Sequence, residues 1–526
     1  MEILLDQIRS QPAYRALLDA LKAGQSLTGL GLPRAARLPV LAALHADLGQ
    51  PVVLVTDRAD HALQLHDEMA FWLPEVARYL FSEPNPLFYE EAAWGNATRR
   101  ERLQTLTTLA RYHLPFAEKP SMPPVIVTSA RALMTRTLPR RDFLKASKQL
   151  KVGQNIPPKG LLEEWLRIGY QPAETVLEPG QFSHRGGLLD IWPQPESRPM
   201  RLDFFGDEID AIRVFDPASQ RTVEKLESIL VTPAREFVLS GKSDVSDHLS
   251  EFHISLLHGF PASLLEYLPS GSLVMVDDLS LLESAVVEFE EQAVKFRSES
   301  IAEGTLEAGF PVPYIPWPEL ADRLQDCSCL EMGHSTAEEM VGGQESKGSL
   351  SAEFGHIERF GGRLKPFIEF LAHIVSGGNS VVVVSRQASR LQELWAEQTT
   401  EDGRQTSGLD PSSVIFVEAS LSAGWQLGNL LLVTDSEIFG WERPQPRTRP
   451  RPSAETPEMA YADLNPGDWI VHVDYGIGHF AGLGRRTLEG LEREFLCVEY
   501  QNGDQVYVPI HQADRLTRYV GPGGAP

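Results

Sequence analysis

Five short and almost entirely apolar segments constrain the fold of this chain more than any other feature. They are PVVLVT at 51–56, PPVIVT at 123–128, SLVMV at 272–276, SVVVV at 380–384 and NLLLV at 429–433. A strand that is apolar on both sides must be covered on both sides, and amphipathic helical patterns alternate with these segments. The pattern therefore predicts multidomain α/β architecture with buried parallel sheets.

The chain has 526 residues, which is too long for one hydrophobic core and predicts roughly three to five domains. Short alternating strands between Pro- and Gly-rich turns at 186–237 indicate an α+β insertion with one helix. A Pro/Arg-rich stretch follows residue 441, and short strands with an Asn502-Gly503 turn come after it. The predicted units are 1–138 (α/β), 139–237 (insertion), 238–345 (α/β), 353–443 (second small α/β), 444–460 (linker) and 461–526 (small β-barrel).

The stretch SLTGLGLPRAARL at 26–38 has the position of a phosphate-binding loop but not its chemistry. Such a loop needs a lysine for the terminal phosphates and a hydroxyl for magnesium, in the pattern G-x-x-x-x-G-K-[ST]. Gly29 and Gly31 remain, whereas Arg34 is out of register and Ala35 offers no metal ligand. The sequence predicts a degenerate nucleotide site, marked by Gly29, Gly31 and Arg34.

Acidic residues at two strand ends resemble magnesium ligands. They are Asp277 and Asp278 after SLVMV, and Asp435 and Glu437 after NLLLV. Strand-end acids more often cap a turn or a helix, and no lysine-bearing loop accompanies these, so the structural interpretation is favoured. The sequence lacks H-E-x-x-H and G-x-S-x-G motifs, and it has no His/Cys cluster with metal-ligand spacing. We predict no catalytic residues and no metal site.

The charge balance argues against broad nucleic-acid binding. With 48 basic and 72 acidic residues, the formal net charge is −24, which repels phosphate over most of the surface. Three cysteines cannot form a disulfide framework, and no apolar run reaches the roughly 20 residues that span a bilayer. We expect a cytoplasmic, monomeric protein that contacts DNA weakly at most and does not contact membranes.

Three stretches resemble the bacterial transcription-repair coupling factor family. They are GQFSHRGGLLDIWPQPESRPMRLDFFGDEIDAIRVFDPASQRT at 180–222, NLLLVTDSEIFGWER at 429–443, and the two halves of 465–521 that begin NPGDWIVHVDYGIGHFAGL and EFLCVEYQNGDQVYVPI. The resemblance implies a UvrB-like module in two parts (1–138 and 238–345), an inserted UvrA-binding domain, a third domain, and a CarD-type domain that binds RNA polymerase. It covers nearly the whole chain and is weakest over 238–352.

The resemblance also implies the residues that contact the two partners. The family's UvrA contacts match Arg185, Arg201 and Phe205 in this sequence. Alternation along a strand places one of Phe204 and Phe205 outward, where it can serve as an apolar anchor. For the polymerase β subunit, the family uses an exposed strand edge, which matches 485–500. The residues implied there are Leu488 above all, then Arg486, Leu491 and Leu496.

The family's motor domains, which carry ATP and Mg²⁺, are expected beyond residue 526, so this part is expected not to be an enzyme and to need no cofactor. The leading hypothesis is a docking module between stalled RNA polymerase and the excision-repair machinery. Two alternatives stay open: an ATP-dependent helicase-like module, and a transcription regulator that acts through 461–526 alone.

Overall fold

The computed structural model describes most of the chain. The described residues are 2–27, 29–239, 249–333, 350–399, 413–441, 443, 466–472, 476–488, 491–500, 505–509 and 516–518. The predicted linker 444–460 lies outside these residues, and so does nearly all of the polar stretch 331–350.

The first sheet has five parallel strands in the order β13-β12-β1-β3-β2. The predicted strands at 51–56, 123–128 and 272–276 are its three central members. Their bounds are β1 Val52–Thr56, β2 Arg78–Phe81, β3 Val125–Ser129, β12 Leu273–Val276 and β13 Ser328–Glu331. The sheet thus joins strands from both parts of the chain, before and after the insertion.

Helices cover both faces of this sheet, as predicted. Those before the insertion are α1 Glu2–Ser10, α2 Pro12–Lys22, α3 Arg34–Leu48, α4 Ala59–Trp72, α5 Asn96–Ala110, α6 Ala130–Met134 and α7 Arg140–Ala146. Those after it are α9 Ile254–Leu257, α10 Leu279–Glu303 and α11 Trp317–Gln325. Helix α10 begins where Oδ1 of Asp278 accepts the Leu281 amide at 3.1 Å, and it ends at Gly304 with φ of 78°.

Successive residues of the central strands belong to two different cores. In β1, Val53 and Val55 pack into a core that continues into the inserted domain, whereas Val52 and Leu54 pack into one that continues into the third unit. Each core is continuous across a predicted domain boundary. The first sheet is therefore the central layer to which the insertion and the third unit are both attached through buried apolar contacts.

The insertion is a six-stranded sheet in the order β10-β9-β8-β7-β6-β5, mostly antiparallel, beside a two-stranded ribbon of β4 and β11. One helix, α8 Pro158–Arg167, packs with these strands as the sequence predicts, whereas α7 precedes them although it lies within the predicted bounds 139–237. The strands are β4 Lys148–Lys151, β5 Gln171–Pro172, β6 Gln181–Arg185, β7 Leu188–Ile191, β8 Met200–Phe205, β9 Glu208–Phe215, β10 Thr222–Leu226 and β11 Ser228–Val231.

The third unit is a mixed sheet in the order β14-β17-β18-β15-β16, with the two all-apolar segments as neighbouring parallel strands. Its strands are β14 Phe354–Gly355, β15 Ser380–Ser385, β16 Val414–Glu418, β17 Trp425–Leu427 and β18 Leu430–Thr434. Its helices are α12 Leu364–Ser376, α13 Ala388–Thr399 and α14 Asp435–Phe439.

The last unit is an antiparallel five-stranded sheet in the order β22-β21-β20-β19-β23. Its strands are β19 Trp469–His472, β20 Gly476–Leu488, β21 Leu491–Glu499, β22 Gln505–Pro509 and β23 Leu516–Arg518. Among the described strands, β22 and β23 are the two edges, so barrel closure stays a prediction. The Asn502-Gly503 turn lies outside the described residues, although the strands on either side of it pair as a hairpin.

Two turn predictions in this unit were wrong. Gly476 and Gly478 belong to β20 rather than to a turn. A Cβ atom on Gly478 would lie 2.8 Å from Cγ1 of Val498 and 3.0 Å from the Glu499 carbonyl oxygen. Close approach of a neighbouring strand, not chain reversal, requires this glycine. The predicted turn at Pro466-Gly467 is confirmed, and Gly467 has φ of 98°.

None of the helices in the described ranges combines the length and the apolar character needed to cross a bilayer.

Candidate functional sites

The glycine loop of the first unit is bonded to strand β13. The amide of Gly29 donates to Oε2 of Glu331 at 2.9 Å, and the Leu30 amide donates to the Glu331 carbonyl at 3.3 Å. Gly31 and Leu32 donate to the carbonyls of the two residues that follow Glu331, at 3.0 and 2.8 Å. The four amides that would face a phosphate in a working loop therefore have acceptors within the chain, and one of those acceptors is a carboxylate.

A buried arginine near the glycine loop pairs with one of the strand-end acids. Nη1 of Arg37, one turn into α3, lies 2.8 Å from Oδ1 of Asp277, and its Nε donates to the Leu32 carbonyl at 3.1 Å. Arg37 is buried, whereas Arg34, which the sequence singled out, is exposed at the start of the helix. Among the described residues, no ion pair involves Arg34. An Arg at the fourth helical position was the only signal for Arg37 in the sequence.

The other strand-end acids also have structural partners. Asp278 caps α10, as described above. The carboxylate of Asp435 accepts hydrogen bonds from the hydroxyl of Ser385 and from the Arg386 amide. Glu437 completes a capping box with Thr434 at the start of α14. The structural interpretation of these acids is confirmed. In the part of the chain that the structure describes, no group of three or more His, Cys, Asp or Glu side chains could hold a metal ion.

Two of the three residues implied as UvrA contacts are freely exposed. Arg185 ends β6, and its Nη2 donates to the hydroxyl of Thr175 at 3.2 Å. Phe205 ends β8 with 83% of its side chain exposed, whereas Phe204 packs against the core beneath the sheet. The predicted alternation of the two phenylalanines is confirmed. The register between β8 and β9 is irregular between Asp203 and Phe204, directly before the two phenylalanines.

Arg201 differs from Arg185 because its guanidinium is already occupied. Nε and Nη2 lie 2.7 and 2.8 Å from the two carboxylate oxygens of Asp190 on the neighbouring strand, and the guanidinium lies over the Phe215 ring at 4.6 Å. The hydrogen bonds to Asp190 raise the pKa of Arg201 further, although its burial acts in the opposite direction. The strand register places Arg185 and Arg201 on the same face of the sheet, with Arg201 as a partly buried member of an ion pair.

The residues implied as polymerase contacts lie along β20 and β21. Leu488 and Leu491 are register partners where the two strands meet, and Arg486 is two residues before Leu488. Strand β19 pairs with β20 only at 476–479, and β22 pairs with β21 only at 495–499. The outer part of the β20–β21 ribbon therefore has no further strand partner among the described residues. This is the backbone arrangement that strand addition requires.

Leu496 is not part of this edge. Its side chain is fully buried in the small core of the last sheet, together with Phe480 and Val498. The prediction that Leu496 contacts a partner was wrong, because inward alternation along β21 places it in the core. Leu483 on β20 was not singled out, although 55% of its side chain is exposed. The alternation of side chains along β20 could have indicated that Leu483 is exposed, since Leu483 lies in the apolar part of that strand.

Comparison with known proteins agrees with the two folds just described. The UvrB interaction domain family matches residues 149–237, and the CarD-like/TRCF RID domain family matches residues 464–520. The chain resembles transcription-repair-coupling factors. It is 25% identical to the one from Bacillus subtilis over 98% of its own length, and 29% identical to the one from Myxococcus xanthus over 97%. The chain spans about half the length of these relatives, 47% and 46%.

The resemblance to transcription-repair-coupling factors confirms the recognition made from the sequence. The UvrB interaction domain coincides with the predicted insertion at 139–237. The CarD-like domain coincides with the predicted unit at 461–526. Residues 149–237 thus match a UvrB interaction domain and residues 464–520 a CarD-like/TRCF RID domain, in a chain whose glycine loop donates a hydrogen bond to the Glu331 carboxylate.

Proposed function

We propose that this chain is a non-catalytic docking module, which links RNA polymerase to the nucleotide excision repair machinery during transcription-coupled repair. It acts in the cytoplasm, as a monomer and without a bound cofactor. The observation that supports the proposal is the presence of a UvrB interaction domain match and a CarD-like/TRCF RID domain match in one chain that is similar to transcription-repair-coupling factors.

The insertion binds UvrA through the exposed end of its sheet. Phe205 supplies an apolar anchor, and Arg185 supplies an exposed guanidinium that can exchange its hydrogen bond to Thr175 for two hydrogen bonds to a carboxylate. The guanidinium of Arg201 is already bonded to Asp190, so it is not available to the partner. Arg201 contributes instead by stabilising the pairing of β7 with β8. The proposal thus keeps all three residues but gives Arg201 a positioning role.

The test measures binding of purified UvrA to the immobilised chain. Arg185→Glu is expected to weaken binding at least tenfold, because the reversed charge faces the partner's carboxylate. Lys225→Glu makes the same charge change at an exposed position on β10 of the same sheet and is expected to bind like the parent chain. Equal binding by both variants would show that UvrA does not use this end of the sheet.

The last sheet binds the polymerase β subunit by adding the outer β20–β21 ribbon to a sheet of the partner. Leu488→Asp is expected to abolish capture of the β subunit, since a carboxylate buried against the partner's sheet would have no hydrogen-bond donor. Ile477→Asp, at an exposed position at the opposite end of β20, is the matched control. If both variants keep polymerase binding, the interface lies elsewhere on the chain.

The first unit has no nucleotide function in this proposal. A phosphate near Gly29 would meet the Glu331 carboxylate, and Asp277 is neutralised by Arg37. A fluorescent ATP analogue is therefore expected to show no magnesium-dependent binding. Saturable binding that disappears in an Arg37 variant would instead favour a helicase-like module.

A further inference from the structure

The third unit gathers basic side chains and aromatic rings at one edge of its sheet. The edge is formed by three segments, 359–365, 385–390 and 438–441, which we call the basic edge. The segments contain five basic residues and no acidic one, in a chain whose net charge is −24: Arg359, Arg363, Lys365, Arg386 and Arg390. All five are exposed. A local concentration of positive charge on an acidic protein indicates an anionic partner.

Backbone hydrogen bonds hold the three segments together. The Phe360 amide donates to the Glu437 carbonyl and the Gly362 amide to the Ile438 carbonyl, both at 2.7 Å. Oδ2 of Asp435 accepts the Arg386 amide at 3.1 Å and the Arg386 Nε at 3.3 Å, and the Asp435 carbonyl accepts the Trp441 amide at 3.3 Å. Two of the three segments follow the neighbouring parallel strands β15 and β18, so they meet at the carboxyl edge of the sheet.

A stack of planar groups stands at the centre of the basic edge. The rings of Phe439 and Trp441 are stacked, with centroids 4.3 Å apart and an interplanar angle of 19°. The guanidinium of Arg386 lies 5.2 Å from the indole centroid, beside an open cleft lined by Arg386, Gln387, Gly440 and Trp441. The side chains of Trp441 and Arg386 are 39% and 44% exposed. A base can stack on the exposed guanidinium or take its place over the indole.

We propose that the basic edge binds single-stranded nucleic acid, with an unpaired base on the Arg386–Trp441 stack and neighbouring phosphates on the surrounding cations. Exposed aromatic rings interleaved with basic side chains are the arrangement that such ligands require. A duplex buries its base faces and would gain only from the charges. An acidic polypeptide would also gain from the charges but has no flat ring for the stack. The proposal does not depend on either docking function proposed above.

The experiment measures fluorescence anisotropy of labelled dT15 and rU15 with the whole chain at about 50 mM KCl. Trp441→Ala is expected to weaken binding by roughly five- to 150-fold, the loss of one stacked base, whereas Trp441→Phe keeps a ring and most of the affinity. Arg363→Glu with Arg390→Glu is expected to weaken binding and to lower the salt slope by about 0.7 for each phosphate that is no longer neutralised. Lys225→Glu with Lys295→Glu, at exposed positions on β10 and α10, makes the same change in charge and is expected to change neither the affinity nor the salt slope.

The comparison of dT15 with rU15 identifies whether DNA or RNA is the preferred strand, and preference for either supports the proposal. A 15-base-pair duplex is expected to bind more weakly than either strand. Three results would overturn the proposal: no binding of dT15 or rU15 at low salt, duplex binding that equals strand binding, or unchanged affinity in the Trp441→Ala chain. Displacement by poly-glutamate at equal charge, together with an inert Trp441, would assign the edge to an acidic polypeptide instead.

Discussion

Nη1 of Arg37 lies 2.8 Å from Oδ1 of Asp277, the residue that directly follows strand β12. The pair joins helix α3 to the end of strand β12, and both side chains are mostly buried. This ion pair, together with the hydrogen bond that the Gly29 amide donates to Oε2 of Glu331, gives the strand-end acid and the glycine loop partners within the chain. The Arg37–Asp277 pair therefore has a structural role in the first unit.

Removal of the Arg37 side chain tests this structural role. Arg37→Ala leaves the Asp277 carboxylate and the Leu32 carbonyl without their donor, so we expect the free energy of unfolding to fall by about 2–4 kcal/mol. Arg34→Ala, three residues earlier and exposed, is expected to leave it nearly unchanged. Urea denaturation of both variants provides the measurement. A loss in Arg34→Ala as large as in Arg37→Ala would contradict the assignment.

A second buried ion cluster predicts how stability depends on pH. Glu251 is fully buried, and the Nε atoms of Arg99 and Arg235 lie 2.9 and 2.6 Å from its Oε1. Burial alone would raise the pKa of Glu251, but the two arginines outweigh it and lower the pKa to about 2. Because the folded pKa lies below the ordinary value of 4.5, this stabilisation is complete above about pH 4.5 and is lost as the pH falls toward 2.

The lost stabilisation amounts to about 3 kcal/mol for this group. Thermal denaturation between pH 6 and pH 3, an interval in which about 2 kcal/mol of this stabilisation is lost, provides the measurement. In Glu251→Gln, the group no longer titrates, so the chain is expected to be less stable at pH 6 and to show a shallower decline toward pH 3. An unchanged slope in the variant would assign the acid sensitivity to other carboxylates.

Substitution of each of the two adjacent phenylalanines of β8 tests UvrA binding and folding separately. Phe205→Ala removes an exposed ring, so we expect UvrA binding to be lost with the melting temperature kept. Phe204→Ala removes a ring packed against the core, so we expect a stability loss of about 2–3 kcal/mol. Calorimetry and UvrA capture on the same two samples decide between these effects. A marked drop in melting temperature for Phe205→Ala would mean that its ring has a structural role.

Apolar segments and alternation predicted the parallel sheets, the antiparallel insertion and the opposite orientations of Phe204 and Phe205. The reason is that both signals are local and periodic. The partners of charged side chains were not predictable in this way. Arg37 and Asp277 are 240 residues apart, and Arg201 meets Asp190 only through the register of β7 and β8. The continuity of the cores across domain boundaries was not predictable either. Alternate residues of each central strand pack into different cores, and the sequence does not show which unit each core continues into.

Gly478 provides a final test, because the sequence assigned it to a turn and the structure assigns it to β20. Gly478→Ala places a methyl group against Cγ1 of Val498 and the Glu499 carbonyl oxygen, so strands β20 and β21 must separate or the last sheet must distort. We expect this variant to lose polymerase capture and to keep UvrA binding, which we propose for the insertion. Gly467→Ala is not a suitable control, because Gly467 has positive φ and any side chain there is strained. Ser389→Ala, at an exposed site on α13, is the neutral control, and full polymerase capture by Gly478→Ala would show that β21 does not approach β20 this closely.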